Sequence, residues 1–417
     1  MSSTKVPRIA FACAIATGMT AAANASYAQT KDCNDPSLPN PIYVYGSSAV
    51  KPLIAALGKS LWSQNITIVY VDKGGSCDGV NALVNGAVVS GTGLYYPGTT
   101  DDAGAPAVAN CNIPLADGGL GGQSVDIGVS DVWPESCPMI TVDYAKVGDF
   151  HGPNQVMTFV VPQKATALKN ISAEAAYFVM GKPASAKIVG PWTDANSITV
   201  RNQKSGTQTM LGRAIHLDAA LWLAKDSGSS GGVETALKAA NDGANPERSL
   251  GILSTGEADR DRSFLKVLAF QDLGKKCAFW PDSSLTTFDK ANVRSGDYSV
   301  FGPLHLLARV SAQGGSPSNA TVKQIIDYFV GNADPPGGKT QLIDLEIANY
   351  TVPQCAMRVR RSTEMGPLSA FTPDVPCGCY FELKATGSAP ASCKTCTTNS
   401  DCTGANMVCG YGYCEAK

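Results

Sequence analysis

Three times in this chain a short β-like run ends in a turn of small residues and passes directly into helical spacing. Pro41–Tyr45 (PIYVY) is followed by Gly46-Ser47-Ser48-Ala49-Val50-Lys51-Pro52, and then by Leu53, Ala56, Leu57 and Leu61 on one helical face. Ile66–Val71 leads into Gly74-Gly75-Ser76-Cys77-Asp78-Gly79-Val80 and a short helix to Val84. Ile198–Val200 leads into Arg201-Asn202-Gln203-Lys204-Ser205-Gly206-Thr207 and a helical pattern over Met210–Leu217. The apolar period changes from about 2 to about 3.6 within a few residues each time. Alternating strands and helices predict α/β lobes with mostly parallel sheets. Ligands of such sheets sit beyond the carboxyl ends of the strands, where these turns fall. A helix start offers unpartnered backbone N–H groups at the positive end of its dipole, which suits an anion. Read singly, each turn is also an ordinary helix cap.

The 417 residues suffice for two compact lobes. A formal net charge of -2 argues against nucleic acid or an anionic membrane as partner. Any anion would be bound by local geometry. Lys5 and Arg8, the apolar run Ile9–Ala23, and the small residues Ser26 and Ala28 predict a secretory signal over 1–28, cleaved after Ala28. The mature chain is then expected in the periplasm or outside the cell. Cys13 lies in the removed piece, which leaves 13 of the 14 cysteines. Six are spread over the body, and seven crowd the end from Cys377 to Cys414. In an exported protein this predicts disulfides. The odd total implies a free thiol, a bond to another chain, or a different cleavage site. Zinc at Cys393-x-x-Cys396 is disfavoured, because no histidine follows His305 and the compartment is oxidising.

Residues 85–123 read as an insertion without sustained periodicity, with Cys111 as a covalent tie. Ser124–Val129 is a predicted strand ending at Ser130-Asp131, and Gln155–Val161 is another, stopped by Pro162. Ser172 is a predicted N-cap for a helix to Met180. His216–Lys225 extends the helical region after Thr207, and Val233–Asn241 is a further helix. Leu250–Leu253 and Leu265–Phe270 are candidate strands, Tyr298–Arg309 crosses back toward the first lobe, and Thr321–Val330 is an amphipathic helix. From Pro373 the composition shifts to Gly, Ser, Pro and Cys. The expected organisation is lobe I at 40–157 and 305–372, lobe II at 158–304, and a Cys-rich module at 377–417.

Four stretches, GSSAVKP (46–52), GGSCDGV (74–80), VDIGVSD (125–131) and VRNQKSGT (200–207), resemble in sequence and order the periplasmic phosphate-binding proteins of ABC uptake systems, the PstS-like family. The resemblance spans roughly residues 40–370. It implies a two-lobed, type II-like periplasmic binding-protein fold with a cleft between the lobes. It implies phosphate or a similar tetrahedral oxyanion as ligand, an ABC permease or a cell-surface component as partner, a monomer, and no cofactor. The implied contacts are the hydroxyls of Ser48 and Ser76, the Ala49 amide, Asp131 as acceptor, Arg201 as charged donor, and Ser205, Gly206 and Thr207 closing the seat. Gln203 stands where the family often has an acid that orients the arginine. Cys77 beside Ser76 suggests a disulfide under the binding loop. Asp131 has a selective role in this picture. A carboxylate only accepts hydrogen bonds, so it favours protonated phosphate over fully ionised sulfate. The alternative is an extracellular adhesion protein that reuses the fold, with its Cys-rich tail as the contact. An enzyme is not expected. His151, His216 and His305 are far apart in the sequence, no H-E-x-x-H or G-x-S-x-G motif occurs, and neither catalytic residues nor metal ligands are assigned.

Overall fold

All three expected strand–turn–helix units form, and they belong to two halves of one sheet. The computed structural model describes residues 30–71, 73–102, 104–115 and 121–417; the predicted signal peptide and Cys13 lie outside the described residues. The strands of the first half are β1 (Pro41–Gly46), β2 (Thr67–Val71), β3 (Gly91–Tyr95), β4 (Ala109–Ile113) and β5 (Ile127–Ser130). β6 (Val147–Pro162) then crosses to the second half. That half holds β7 (Ile198–Val200), β8 (Lys225–Asp226), β9 (Leu250–Ser254) and β10 (Leu265–Val267), and β11 (Phe301–Arg309) returns.

The order across the sheet is β8-β7-β9-β6-β11-β5-β1-β2-β3-β4, with β10 also beside β6. β1 is parallel to β2 and β5, and β7 is parallel to β8 and β9. Between these two parallel groups run β6 and β11, antiparallel to each other. β6 serves both halves. Its residues from Val147 to Val156 pair with β11, and those from Met157 to Val160 pair with β9. The protein is therefore a two-lobed α/β fold with one parallel group in each lobe.

The helices of six residues or more are α1 (Lys51–Leu61), α2 (Ser76–Val84), α3 (Ala173–Gly181), α4 (Gly206–Ala214), α5 (Ser230–Asn241), α6 (Thr255–Arg260), α7 (Ala320–Phe329), α8 (Lys339–Ala348) and α9 (Gly378–Thr386). Leu53, Leu57 and Leu61 of α1 and Ile325, Ile326 and Phe329 of α7 pack on Val44, Ile68, Ile127 and Leu306 of the sheet. Each such side chain contributes about 1.5–3 kcal/mol by leaving water. Ser172 caps α3 as expected, its side chain accepting from the Ala175 amide.

Three expectations need correction. Residues 85–123 are not a plain insertion, because β3 and β4 form an antiparallel pair that widens the sheet beyond β2. Glycine at Gly91 and Gly93 hides the strand pattern. The Cys33–Cys111 disulfide ties this extension to the chain start, as Cys111 suggested. The helix after Thr207 does not continue through Lys225. α4 ends at Ala214, and His216 takes a left-handed backbone with φ 57°. Asp218 then caps a separate short turn by accepting from the Ala220 amide. Leu265–Phe270 is not one strand, because after β10 the chain leaves β6 and Ala269–Gln271 pairs with Asn170–Ser172.

Six disulfides form among the described residues, and Cys277 is the exposed cysteine left over. Cys77–Cys137 lies under the Ser76 turn, and Cys393 and Cys396 bond Cys379 and Cys409. The chain end carries a small three-stranded sheet. It is fastened to the body by Cys355–Cys377, by an Arg294–Glu382 ion pair at 2.7 Å, and by a Tyr380 hydroxyl donating to Asp344 at 2.8 Å.

Candidate functional site: helix starts around a buried arginine and a buried carboxylate

The carboxyl ends of β1, β2, β5, β7, β8 and β9 deliver the turns that carry Ser47 and Ser48, Ser76, Asp131, Arg201 to Thr207, Ser230, and Ser254 to Glu257. Four of these turns open α1 (through a short lead-in turn at Ser48–Val50), α2, α4 and α5. Parallel pairing within each half aligns the helix starts, and the two halves face one another through β6 and β11.

Asp131 is 1% exposed. Its Oδ2 accepts from the Ser47 hydroxyl at 2.5 Å and from the Ser76 hydroxyl at 3.2 Å. Its own amide donates to Ser76 Oγ at 3.0 Å. Burial pushes the carboxyl up to about 6, against the pull of Ser47, Ser76 and the Arg201 charge. Its Oδ1 is buried and has no hydrogen-bond partner among the described residues.

Arg201 is 3% exposed and spans the two halves. One terminal nitrogen donates to Ser230 Oγ at 2.9 Å in the second half. The other donates to Ser48 Oγ at 3.1 Å in the first. Burial lowers the guanidinium from its ordinary range, opposed by the charges of Glu257 and Asp131. Arg201 Nε and Thr207 Oγ1 are buried without partners among the described residues. A buried polar atom left unpaired costs about 1–3 kcal/mol, so this concentration of orphans marks a place adapted to something other than stability.

Glu257 is a second buried carboxylate whose charge acts on Arg201. It follows Ser254 in a capping box, with its Oε2 accepting from the Ser254 amide at 3.1 Å. Burial pushes it up to about 7, partly offset by Ser254, Ser230 and Arg201. Its helix is held by Asp259, which meets Lys290 at 2.7 Å and Arg262 at 2.6 Å inside a buried ion network that includes Asp282.

The halves touch beside these groups. The Cys77 amide donates to the Lys204 carbonyl at 3.1 Å, and Lys204 Nζ meets Asp78 at 3.0 Å. Gly206 lies against Ser76 and Asp131. A Cβ added there would fall 2.3 Å from Ser76 Oγ and 3.0 Å from Asp131 Oδ2. At a helix start alanine would otherwise help by up to about 1 kcal/mol. The clash reverses that sign, and Gly206→Ala is expected to lower stability by about 1–3 kcal/mol and to weaken any ligand gripped there. Thermal melts with and without ligand check this.

Of the residues expected from sequence, Ser48 and Arg201 are joined by a hydrogen bond, and Ser76, Asp131 and Gly206 form a second contact set. The Ser205 side chain caps α4 by accepting from the Gln208 amide. The Ala49 amide is engaged by Ser47 Oγ at 3.1 Å, so it is spent within its own turn. Ser47, Ser230 and Glu257 were not anticipated. The signal for Glu257 was the S-x-x-E box after the Leu250–Leu253 run, and for Ser230 the Gly/Ser turn before α5. A cavity of about 700 Å³ adjoins the site, lined by Ser48, Lys51 and Lys59 from one half and by Ser230, Glu257 and Arg260 from the other.

The histidines also differ from expectation. His151 and His305 lie side by side, with ring centroids 4.7 Å apart, and both contact Asp149. Burial lowers His305, favouring the neutral ring.

No protein-family model matches the chain, and no curated protein matches it. Among solved structures, the chain is similar to a putative phosphate ABC transporter substrate-binding protein with bound phosphate from Clostridium perfringens, at 14% identity and a TM-score of 0.47, over 75% of this chain and 99% of that one. It is similar to an ABC-type phosphate transport receptor from Vibrio cholerae at 15% identity and a TM-score of 0.44, over 75% and 99% of the two chains. It is also similar to the OxyR regulatory domain from Pseudomonas aeruginosa, at 9% identity and a TM-score of 0.37, over 70% and 98%.

Proposed function

We propose that this protein binds a tetrahedral oxyanion, inorganic phosphate first, in the cleft between its halves, and serves uptake or sensing outside the cytoplasm. One observation carries the reading. A buried arginine and a buried carboxylate, each with an unpaired polar atom, sit where four helix starts from both halves converge. Arg201 and the hydroxyls of Ser48 and Ser230 beside it supply donors for anionic oxygens. Asp131 supplies an acceptor, which suits a ligand that still carries a proton. The Ser48 and Ser230 hydroxyls, 3.4 Å apart and both accepting from Arg201, turn to the ligand as it enters. The similarity of the four sequence motifs to phosphate-binding proteins supports the same ligand.

Calorimetric titration of the full chain with phosphate, with sulfate as competitor, tests this after partial unfolding and dialysis to strip carried-over ligand. Micromolar or tighter binding (about -8 kcal/mol or better) that sulfate does not displace is the expected outcome. A folded, ligand-free sample that takes up no phosphate defeats the proposal.

A further inference from the structure

We propose that Asp149, His151 and His305 form a binding site for one divalent transition-metal ion of the zinc class, separate from the anion seat. Asp149 and His151 are two residues apart on β6, so strand alternation puts both on one face. His305 on β11 is the direct cross-strand partner of His151 and shares that face. The side chains converge accordingly. His305 Nδ1 is 2.9 Å from each carboxylate oxygen of Asp149, and His151 Nε2 is 3.3 Å from Oδ2. One ligand atom from each residue lies within 4.8 Å of the other two.

A tetrahedral zinc ion with bonds of about 2.0–2.2 Å holds its ligand atoms roughly 3.3–3.5 Å apart. The carboxylate–imidazole spacings are already close to that, so an ion enters with small side-chain shifts. Two imidazoles and one carboxylate are a zinc-class ligand set with a fourth position left for water. The frame is stiff, because the ligands stand on paired strands. The Trp133 ring packs on both imidazoles, at 4.7 Å from His305 and 6.1 Å from His151. The Trp133 amide is in turn held by Glu364 at 3.0 Å. The site is also reachable, since the His151 side chain is 45% exposed while His305 is fully buried. The competing account is a carboxylate–imidazole hydrogen-bond network. The two accounts differ only in the ion, since His305 Nε2 is without a hydrogen-bond partner among the described residues in both.

The test uses the full chain, stripped with a chelator and titrated with Zn²⁺ by calorimetry and with Co²⁺ by visible absorption. One equivalent is expected to bind, with Co²⁺ giving the bands of a low-coordinate site. His151→Ala is expected to weaken binding on the order of 100-fold or more. This residue is half exposed, so its loss leaves the fold intact by circular dichroism, whereas His305→Ala risks unfolding. Cys277→Ser and His216→Ala leave the affinity unchanged. No saturable binding overturns the proposal. So does binding that survives His151→Ala or disappears with Cys277→Ser. Phosphate titration of the same samples is independent of this result.

Discussion

If the cleft takes phosphate as proposed, Arg201→Met is expected to leave a folded protein that binds it two to three orders of magnitude more weakly. Removing one member of a buried, hydrogen-bonded charge pair costs about 2–5 kcal/mol in affinity, and each 1.4 kcal/mol is about tenfold. Methionine fills much of the space but donates nothing to an anion, to Ser48 or to Ser230. The fold suffers less than the binding does. Arg201 is one of the charges that keep the Asp131 and Glu257 carboxyls from rising further. Without it both shift up and take protons near neutral pH, so no naked carboxylate is stranded in the interior. Calorimetry against phosphate and a thermal melt measure the two effects separately. A variant that binds within tenfold of the parent would remove Arg201 from the seat.

The second large effect is on selectivity. Asp131→Asn is expected to raise sulfate affinity roughly 100-fold, about 2–3 kcal/mol, while phosphate weakens modestly. The amide keeps the shape and adds a donor, so the acceptor-only face that opposes a fully ionised ligand is gone. The same substitution changes the pH response of the unliganded fold. The Asp131 carboxyl sits at about 6, above its ordinary 3.8. A group raised on folding keeps its proton longer in the native state than in the unfolded chain. Its contribution is therefore fully present below about pH 4 and is lost as pH rises through about 6. At 1.36 kcal/mol per unit this is on the order of 3 kcal/mol. Glu257, at about 7, adds a trend of the same sign. Melts from pH 4 to 7 should show a shallower decline for Asp131→Asn than for the parent. Parallel curves would mean that Asp131 is not buried as described.

The turns at Ser48, Ser76 and Ser205 were legible because they are local, and Asp131 as the end of a short apolar strand. A change of hydrophobic period, flanked by glycine and serine, needs no knowledge of the rest of the chain. The partners of Arg201 were not legible in that way. The box from Ser254 to Glu257 declares a helix start. Its carboxylate acts on Arg201 only because β7 and β9 are neighbours, with Thr199 beside Gly251. Ser230 follows a strand of two residues, too short to carry a period. The histidine cluster was hidden twice. Residues 147–154 contain Gly148, Gly152 and Pro153, which mask a strand. The register that sets His305 against His151 is a long-range choice, with a bulge between Pro303 and His305. Glycine likewise disguised β3.

The unbroken run of β6 from Val147 to Pro162 has a mechanical consequence. The halves are joined there by a shared hydrogen-bond ladder with β11 and β9. Any movement of one half against the other is carried by this ladder. The ladder is interrupted at one place, where the register shifts between Pro303 and His305, opposite Gly152 and Pro153.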